Sequence, residues 1–289
     1  MTTTVVRTVL SAWSWFVFGV SCVVYTPIVA VVRLVTFPFD RGAYWAGYTF
    51  RKCVLPNDVL NPLWTLKTSG TMPDDPRLPY VVVANHESFV DMVLLSHLPF
   101  EMKWLSKSEI LKIPFMGWMM RLSRDVRLVR GDAAATAAAM EQCRERLSRN
   151  TSVMIFPEGA RSRNSELREF KAGAFKLAIE GQHPILPLAI HGTRECLASD
   201  DWRQHRATAE VRVLDPVPTE GLTLDDLDDL RDRVRTMIVE ARDELRREHG
   251  WTPPAEVPAP TDPAGPLAGP IPGKRLQTAR QRVAPPMLA

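Results

Sequence analysis

The feature that most limits how this chain can fold is a gap in its charge. Between Arg7 and Arg33 there is no Asp, Glu, Lys or Arg, and the stretch is rich in Val, Trp, Phe and Ile. As one helix of about 25 residues it would reach roughly 37 Å, enough to cross a bilayer core with some tilt. Trp13, Trp15 and Phe16 suit an interfacial aromatic belt. A cleaved secretory leader fits poorly, because the apolar region is too long and no A-x-A-like site follows it. Pro27 can kink such a helix or break it into a shorter embedded piece. From Asp40 to Val54 a second pattern sets Ala43, Tyr44, Gly47, Phe50 and Val54 on one helical face, with Arg51 and Lys52 off it. That is the pattern of a helix lying on a membrane surface. The expectation is an N-terminal membrane-embedded helical anchor over residues 1–56, either a single span or a shallow pair of helices.

Residues 57–250 read differently. After a turn-rich linker (Pro62, Ser69 to Pro79), short apolar runs alternate with helical stretches. Strands are predicted at Tyr80 to Ala84, Met102 to Ser106, Val126 to Val129, Ser152 to Phe156, Ile185 to Ile190 and Ala209 to Leu214. Helices are predicted at Phe89 to His97, Ser108 to Arg121, Asp132 to Arg149, Phe170 to Glu180 and Thr223 to His249. Such alternation predicts an α/β domain, a mostly parallel sheet flanked by helices, with ligands gathering beyond the carboxyl ends of the strands. Residues 251–289 are rich in Pro, Gly and Ala without any period and read as a disordered tail.

Composition narrows the chemistry. A net charge of +3 on 289 residues is too small and too mixed for a nucleic-acid footprint. Cys22, Cys53, Cys143 and Cys196 lie far apart with no C-x-x-C pair, which predicts reduced thiols and no zinc site. There is no G-x-S-x-G elbow to supply a nucleophilic serine.

Two stretches carry the candidate site. Asn85-His86-Glu87-Ser88-Phe89-Val90-Asp91 leaves a predicted strand and enters a predicted helix. If the loop folds back, Asp91 can accept from one imidazole nitrogen of His86 and leave the other to take a proton from a hydroxyl. The plainer alternative is a capping box, with Ser88 and Asp91 merely tying up N–H groups at a helix start. His97, His183, His191, His205 and His249 show no comparable partner in the sequence. About 70 residues on comes Phe156-Pro157-Glu158-Gly159-Ala160-Arg161-Ser162, where Pro157 stops a strand, Gly159 permits a tight turn, and Glu158 and Arg161 are presented together. The Arg161 guanidinium is a fork suited to phosphate oxygens, although an acid near an arginine is often just an ion pair.

Together these motifs resemble those of the phospholipid and glycerol acyltransferase family, most closely its bacterial members that acylate 1-acyl-glycerol-3-phosphate. The resemblance covers about residues 80 to 195. It includes Lys107 in Leu105-Ser106-Lys107, the Phe170-Lys171-Ala172-Gly173 run and, more loosely, Val126 to Arg130 and Ile185-Leu186-Pro187-Leu188. Ala160 stands where threonine is commoner.

The resemblance implies the glycerolipid acyltransferase fold and a reaction without an acyl-enzyme, in which His86, oriented by Asp91, deprotonates a lipid hydroxyl as it attacks a thioester. It implies that Lys107, Arg130 and Arg161 hold the acceptor phosphate, and that Glu158, Gly159 and Ser162 form the rest of the acceptor-binding loop. No metal or bound cofactor is implied; acyl-CoA or acyl-carrier protein serves as cosubstrate. The implied setting is the cell membrane with the catalytic face on the cytoplasmic side, where the donor is made. The alternatives are another lipid or glycolipid hydroxyl as acceptor, or a non-catalytic lipid-binding relative.

Overall fold

The computed structural model describes residues 2–129, 131–162, 166–199 and 201–251. The tail expected over 251–289 therefore lies outside the described residues except for Trp251. Helices α1 (Thr2–Thr36), α2 (Tyr44–Arg51) and α3 (Leu55–Leu60) precede strands β1 (Trp64–Gly70) and β2 (Val81–Ala84). Then come α4 (Val90–Leu95), β3 (Met102–Lys107), α5 (Met116–Leu122), β4 (Val126–Leu128), α6 (Ala133–Leu147) and β5 (Ser152–Ile155). The domain closes with α7 (Gly173–Gly181), β6 (Ile185–His191), α8 (Thr193–Cys196), β7 (Ala207–Val213) and α9 (Leu227–Glu248).

The strands form one sheet in the order β1-β7-β6-β2-β5-β3-β4. Every neighbouring pair is parallel except β6 and β7, which run antiparallel. The sheet is therefore mostly parallel and flanked by helices, as the alternating pattern predicts. Its central strands are buried on both faces, and the period of two divides them cleanly. Val82, Ala84, Met154, Leu186 and Leu188 pack with residues of α1, α2 and α4. Val81, Val83, Val153, Ile155 and Ile185 pack with α6, α7 and α9 on the other side.

One strand was hidden in the expected linker. β1 pairs with β7 from Trp64↔Ala207 to Gly70↔Val213. Of its residues only Trp64 is buried, since it lies at the sheet edge and carries Thr65, Lys67, Thr68 and Ser69. Without a buried face it has no hydrophobic period to read.

The N-terminal segment departs more from expectation. α1 continues through Pro27 without a break. It is long and apolar enough to cross a membrane, yet it lies along the domain. Ser11, Ser14, Val17, Ser21, Cys22 and Val29 are buried against the protein, while Val9, Phe16, Val20, Val24, Val31 and Val35 point outward and are exposed. Ser14 donates to Asn57 Oδ1 (2.9 Å), Trp15 Nε1 to the carbonyl of Trp202 (2.9 Å), and Gln204 N to Ser11 Oγ (2.9 Å).

The face formed by Ala43, Tyr44, Gly47, Phe50 and Val54, expected to meet lipid, instead packs into the protein interior. The reason is electrostatic as well as apolar. Arg51 is buried against Asp125 (2.5 Å) and donates to the Met102 carbonyl (3.0 Å), and Lys103 bonds Glu101 (2.9 Å) and the Ala43 carbonyl (2.7 Å). This network ties α2 to β3, and Gly47 sits so close to Glu101 that a Cβ there would clash with the carboxylate. The segment 1–56 is thus not separated in packing from 57–250: one compact unit runs to Trp251.

Candidate active site

The loop from Asn85 to Phe89 leaves β2 at its carboxyl end and is held from several sides. The Asn85 amide exchanges two hydrogen bonds with Ile190 of β6, donating to its carbonyl and accepting from its N–H, each 2.8 Å. Ser88 Oγ donates to the Leu197 carbonyl (2.7 Å). Phe89 packs edge-on against Phe18 and tilted against Trp15, both on α1. The long apolar helix therefore braces the loop directly.

Within this loop both readings of Asp91 hold at once. Oδ2 accepts from His86 Nδ1 (2.6 Å) and also from the backbone N–H groups of Glu87 (2.7 Å) and Ser88 (3.0 Å). Oδ1 accepts from the hydroxyl of Thr193 at the start of α8. Asp91 and Thr193 are fully buried, whereas the His86 ring is 16% exposed. A carboxylate so saturated with donors stays in one orientation and holds the imidazole as the Nδ1–H tautomer. Nε2 is left as the nitrogen able to accept a proton. Phe156 stacks on the ring at 4.0 Å between centroids, fixing its plane.

His86 lines an open cleft of about 740 Å³ together with Lys107, Gly159, Arg161 and Arg168. Gly159, at φ 70°, adopts the left-handed turn that the motif requires, and Lys171 lies close above it. A narrow apolar slot adjoins the cleft, sharing Phe89, Met92, Trp104 and Ile110 and reaching toward Phe18 and Phe50.

Glu158 and Ser162 bind the two loops together. Glu158 is 3% exposed; its Oε1 accepts from His86 N (2.8 Å) and its Oε2 from Arg168 N (3.1 Å). Burial pushes its pKa up, and those two backbone bonds oppose the rise. Ser162 is buried, with its N–H donating to the His86 carbonyl (2.9 Å) and its hydroxyl to the Glu166 carbonyl (2.6 Å). Arg130 lies outside the described residues.

The site also has members that sequence reasoning missed. Thr193 follows Gly192 past the end of β6, so the rule that ligands gather at strand ends was the available signal. Arg168 lies in a stretch without periodicity and offered none. Conversely, two histidines read as partnerless have carboxylates: His97 faces Asp58 (3.3 Å) and His249 faces Glu210 (2.9 Å). Neither lines the cleft. Both contacts are made across the fold, 39 residues apart in each case for the atoms involved.

The chain has counterparts among known proteins. Residues 67–191 match the family model described as Acyltransferase. The chain is 37% identical over 164 residues to human 1-acyl-sn-glycerol-3-phosphate acyltransferase alpha, covering 55% of this chain and 57% of the human one. It is 32% identical over 181 residues to the 1-acyl-sn-glycerol-3-phosphate acyltransferase of Saccharomyces cerevisiae, covering 61% and 58%. The chain thus spans little more than half the length of these relatives.

The crystal structure of the 1-acyl-sn-glycerophosphate acyltransferase PlsC of Thermotoga maritima superposes with a TM-score of 0.71, over 84% of this chain and 97% of that one. At 23% identity that likeness speaks for the fold alone. Over residues 67–191 the chain is thus similar to the acyltransferase family.

Proposed function

We propose that this protein transfers an acyl chain from a thioester, acyl-CoA or acyl-carrier protein, to the free hydroxyl of 1-acyl-sn-glycerol-3-phosphate, making phosphatidic acid. The observation that carries the reading is the pairing of His86 with a buried Asp91 on a cleft that also holds Lys107 and Arg161. His86 Nε2 takes the proton of the acceptor hydroxyl as its oxygen attacks the thioester carbonyl. The tetrahedral intermediate then collapses with loss of the C–S bond, and the imidazolium returns the proton to the leaving thiolate. Asp91 steadies the imidazolium while it exists. Lys107 and Arg161 hold the acceptor phosphate, and the adjoining apolar slot receives hydrocarbon. The mechanism calls on no resident metal or cofactor.

The exposed apolar side of α1 supports attachment to a membrane, with the catalytic face toward the cytoplasm where donor thioesters are made. Buried contacts from Ser11 to Val29 bind α1 to the domain over roughly 27 Å, nearly the thickness of a bilayer core. A helix so attached cannot cross the bilayer while its domain stays in water. This favours a shallow anchor with α1 embedded along one leaflet.

The test is an acyl-transfer assay with purified protein in vesicles, offering 1-acyl-glycerol-3-phosphate, other lyso-lipids and glycolipids with each donor type. Phosphatidic acid should be the main product and should disappear with His86→Ala. Preferential acylation of a glycolipid or a neutral lipid would replace the assignment, and absence of transfer to any acceptor would favour a non-catalytic lipid-binding role.

A further inference from the structure

The cleft holds one more cation than the family motifs account for. Lys107, Arg161 and Arg168 all line it, all are solvent-exposed, and among the described residues none has a carboxylate at salt-bridge distance. Arg127, Arg206 and Arg233 are exposed without a salt bridge as well, but they do not line the cleft, and Arg51, Arg124, Arg144, Arg203, Arg212 and Arg231 are each ion-paired. Three like charges on one cleft, none of them ion-paired among the described residues, repel one another and favour an anion from outside.

Arg168 is also held in place. Ser162 N donates to the His86 carbonyl (2.9 Å), and Lys171 N donates to the Pro157 carbonyl of the Glu158 turn (3.0 Å). Between them, Glu158 accepts the His86 N–H with one oxygen and the Arg168 N–H with the other. A single buried carboxylate thus fixes the backbone of the candidate base relative to the backbone of Arg168.

We propose that Arg168 is a specificity-determining residue that completes a three-cation cradle for a dianionic phosphomonoester and so discriminates against phosphodiester and neutral acceptors. The proposal rests on the acyltransferase reading given above. A phosphomonoester carries between about 1.5 and 2 negative charges near neutral pH and presents three terminal oxygens, whereas a diester carries one charge and two free oxygens. Lys107 as a point charge and Arg161 as a fork are enough for a diester. A second fork adds donors that only the third oxygen and the second charge can use. Glu158 keeps that phosphate site in register with His86, so gripping the phosphate also sets the hydroxyl against Nε2.

The test compares wild type, Arg168→Gln, Arg168→Lys and Arg161→Gln in mixed micelles with three acceptors: 1-oleoyl-glycerol-3-phosphate, lysophosphatidylglycerol and 1-oleoylglycerol. For Arg168→Gln, kcat/KM should fall about tenfold or more with the phosphomonoester. The fall should be several times smaller with the other two, and Arg168→Lys should recover part of the loss. Donor KM should be unchanged for both acyl-CoA and acyl-pantetheine. Equal losses on all three acceptors would overturn the inference. A KM raised for acyl-CoA and unchanged for acyl-pantetheine would also overturn it, by assigning Arg168 to the phosphates of the donor. If Arg161→Gln discriminates by acceptor charge and Arg168→Gln does not, only the inference fails. If neither does, the phosphate-bearing acceptor itself is wrong and the inference falls with it.

Discussion

Two histidine–carboxylate pairs in this protein look alike by distance and differ in everything that chemistry needs. His86 Nδ1 lies 2.6 Å from Asp91, and His249 Nε2 lies 2.9 Å from Glu210. The two rings are exposed to nearly the same degree, 16% and 19%, so accessibility does not separate them. The nitrogen left over does. His86 spends the nitrogen nearest its main chain and keeps Nε2 on a ring that lines the cleft. His249 spends Nε2 and keeps the nitrogen beside its own backbone at the end of α9. The carboxylates differ too: Asp91 is held by neutral donors only, while Glu210 also faces the Arg212 guanidinium at 3.9 Å and the Ser69 hydroxyl. A paired histidine is thus a candidate base only when its outer nitrogen is free and its carboxylate stays committed to it.

The comparison breaks most sharply under alanine substitution. His86→Ala should lower kcat by about 10² to 10⁴, the usual worth of a general base, with little change in melting temperature. His249→Ala should leave kcat within about twofold. Equal losses in steady-state assays of the two purified variants would mean that neither geometry identifies the base.

A smaller effect sharpens the contrast between the carboxylates. Thr193→Val removes the partner of Asp91 Oδ1, leaves a buried carboxylate oxygen without its donor and loosens the orientation of the His86 ring. kcat/KM should fall about tenfold. Thr193→Ser should restore it. Ser69→Ala, the matching change at Glu210, should leave it unchanged. An unchanged kcat/KM in Thr193→Val would reduce the threonine to a packing residue.

Much of this site was legible because its parts are local. Asp91 lies five residues from His86, and Glu158, Gly159 and Arg161 share one turn, so spacing alone brings them together. The central strands were legible for a related reason: Val81 to Ala84 and Ser152 to Ile155 are buried on both faces and read as unbroken apolar runs. Long-range partnerships were not. Thr193 reaches Asp91 across 102 residues, and Glu158 reaches the His86 backbone across 72. Periodicity also reports that a face is apolar without saying what covers it. The α2 face was assigned to lipid on a pattern that a protein core satisfies equally well, and the buried position of Arg51 depends on Asp125, 74 residues away. Removing residues 1–56 would accordingly strip Cys22, Val29, Phe50, Cys53 and Val54 from the core rather than merely detach an anchor.

The last effect concerns stability, where the two clusters should respond to pH with opposite sign. Glu87, next to the candidate base, is buried, and that burial, reinforced by the charges of Asp91 and Glu195, pushes its pKa from 4.5 to about 8. Between those values the folded protein keeps a proton that the unfolded chain releases. The stability Glu87 contributes is therefore fully present below about pH 4.5 and is lost as pH rises toward 8. Glu87→Gln mimics the protonated form at every pH, so its stability relative to wild type should rise across this window, by at most about 1.4 kcal/mol per pH unit, and level off above it. At Glu210 burial pulls the pKa up, but hydrogen bonds from Ser69 and His249 outweigh it and hold it below the ordinary value. Its contribution is present at neutral pH and is lost as pH falls through the depressed pKa, so Glu210→Gln should cost stability at pH 7 and progressively less in acid. Each kcal/mol corresponds to about 2 to 4 °C in Tm for a domain of this size. Melting curves followed by circular dichroism from about pH 2 to 9 would give a difference from wild type that climbs between about pH 4.5 and 8 for Glu87→Gln, and one for Glu210→Gln that declines with rising pH only below about pH 4.5 and is flat above it. A flat difference for Glu87→Gln would mean that the carboxyl beside His86 is already ionised in the folded protein and that the loop holds a second negative charge next to Asp91.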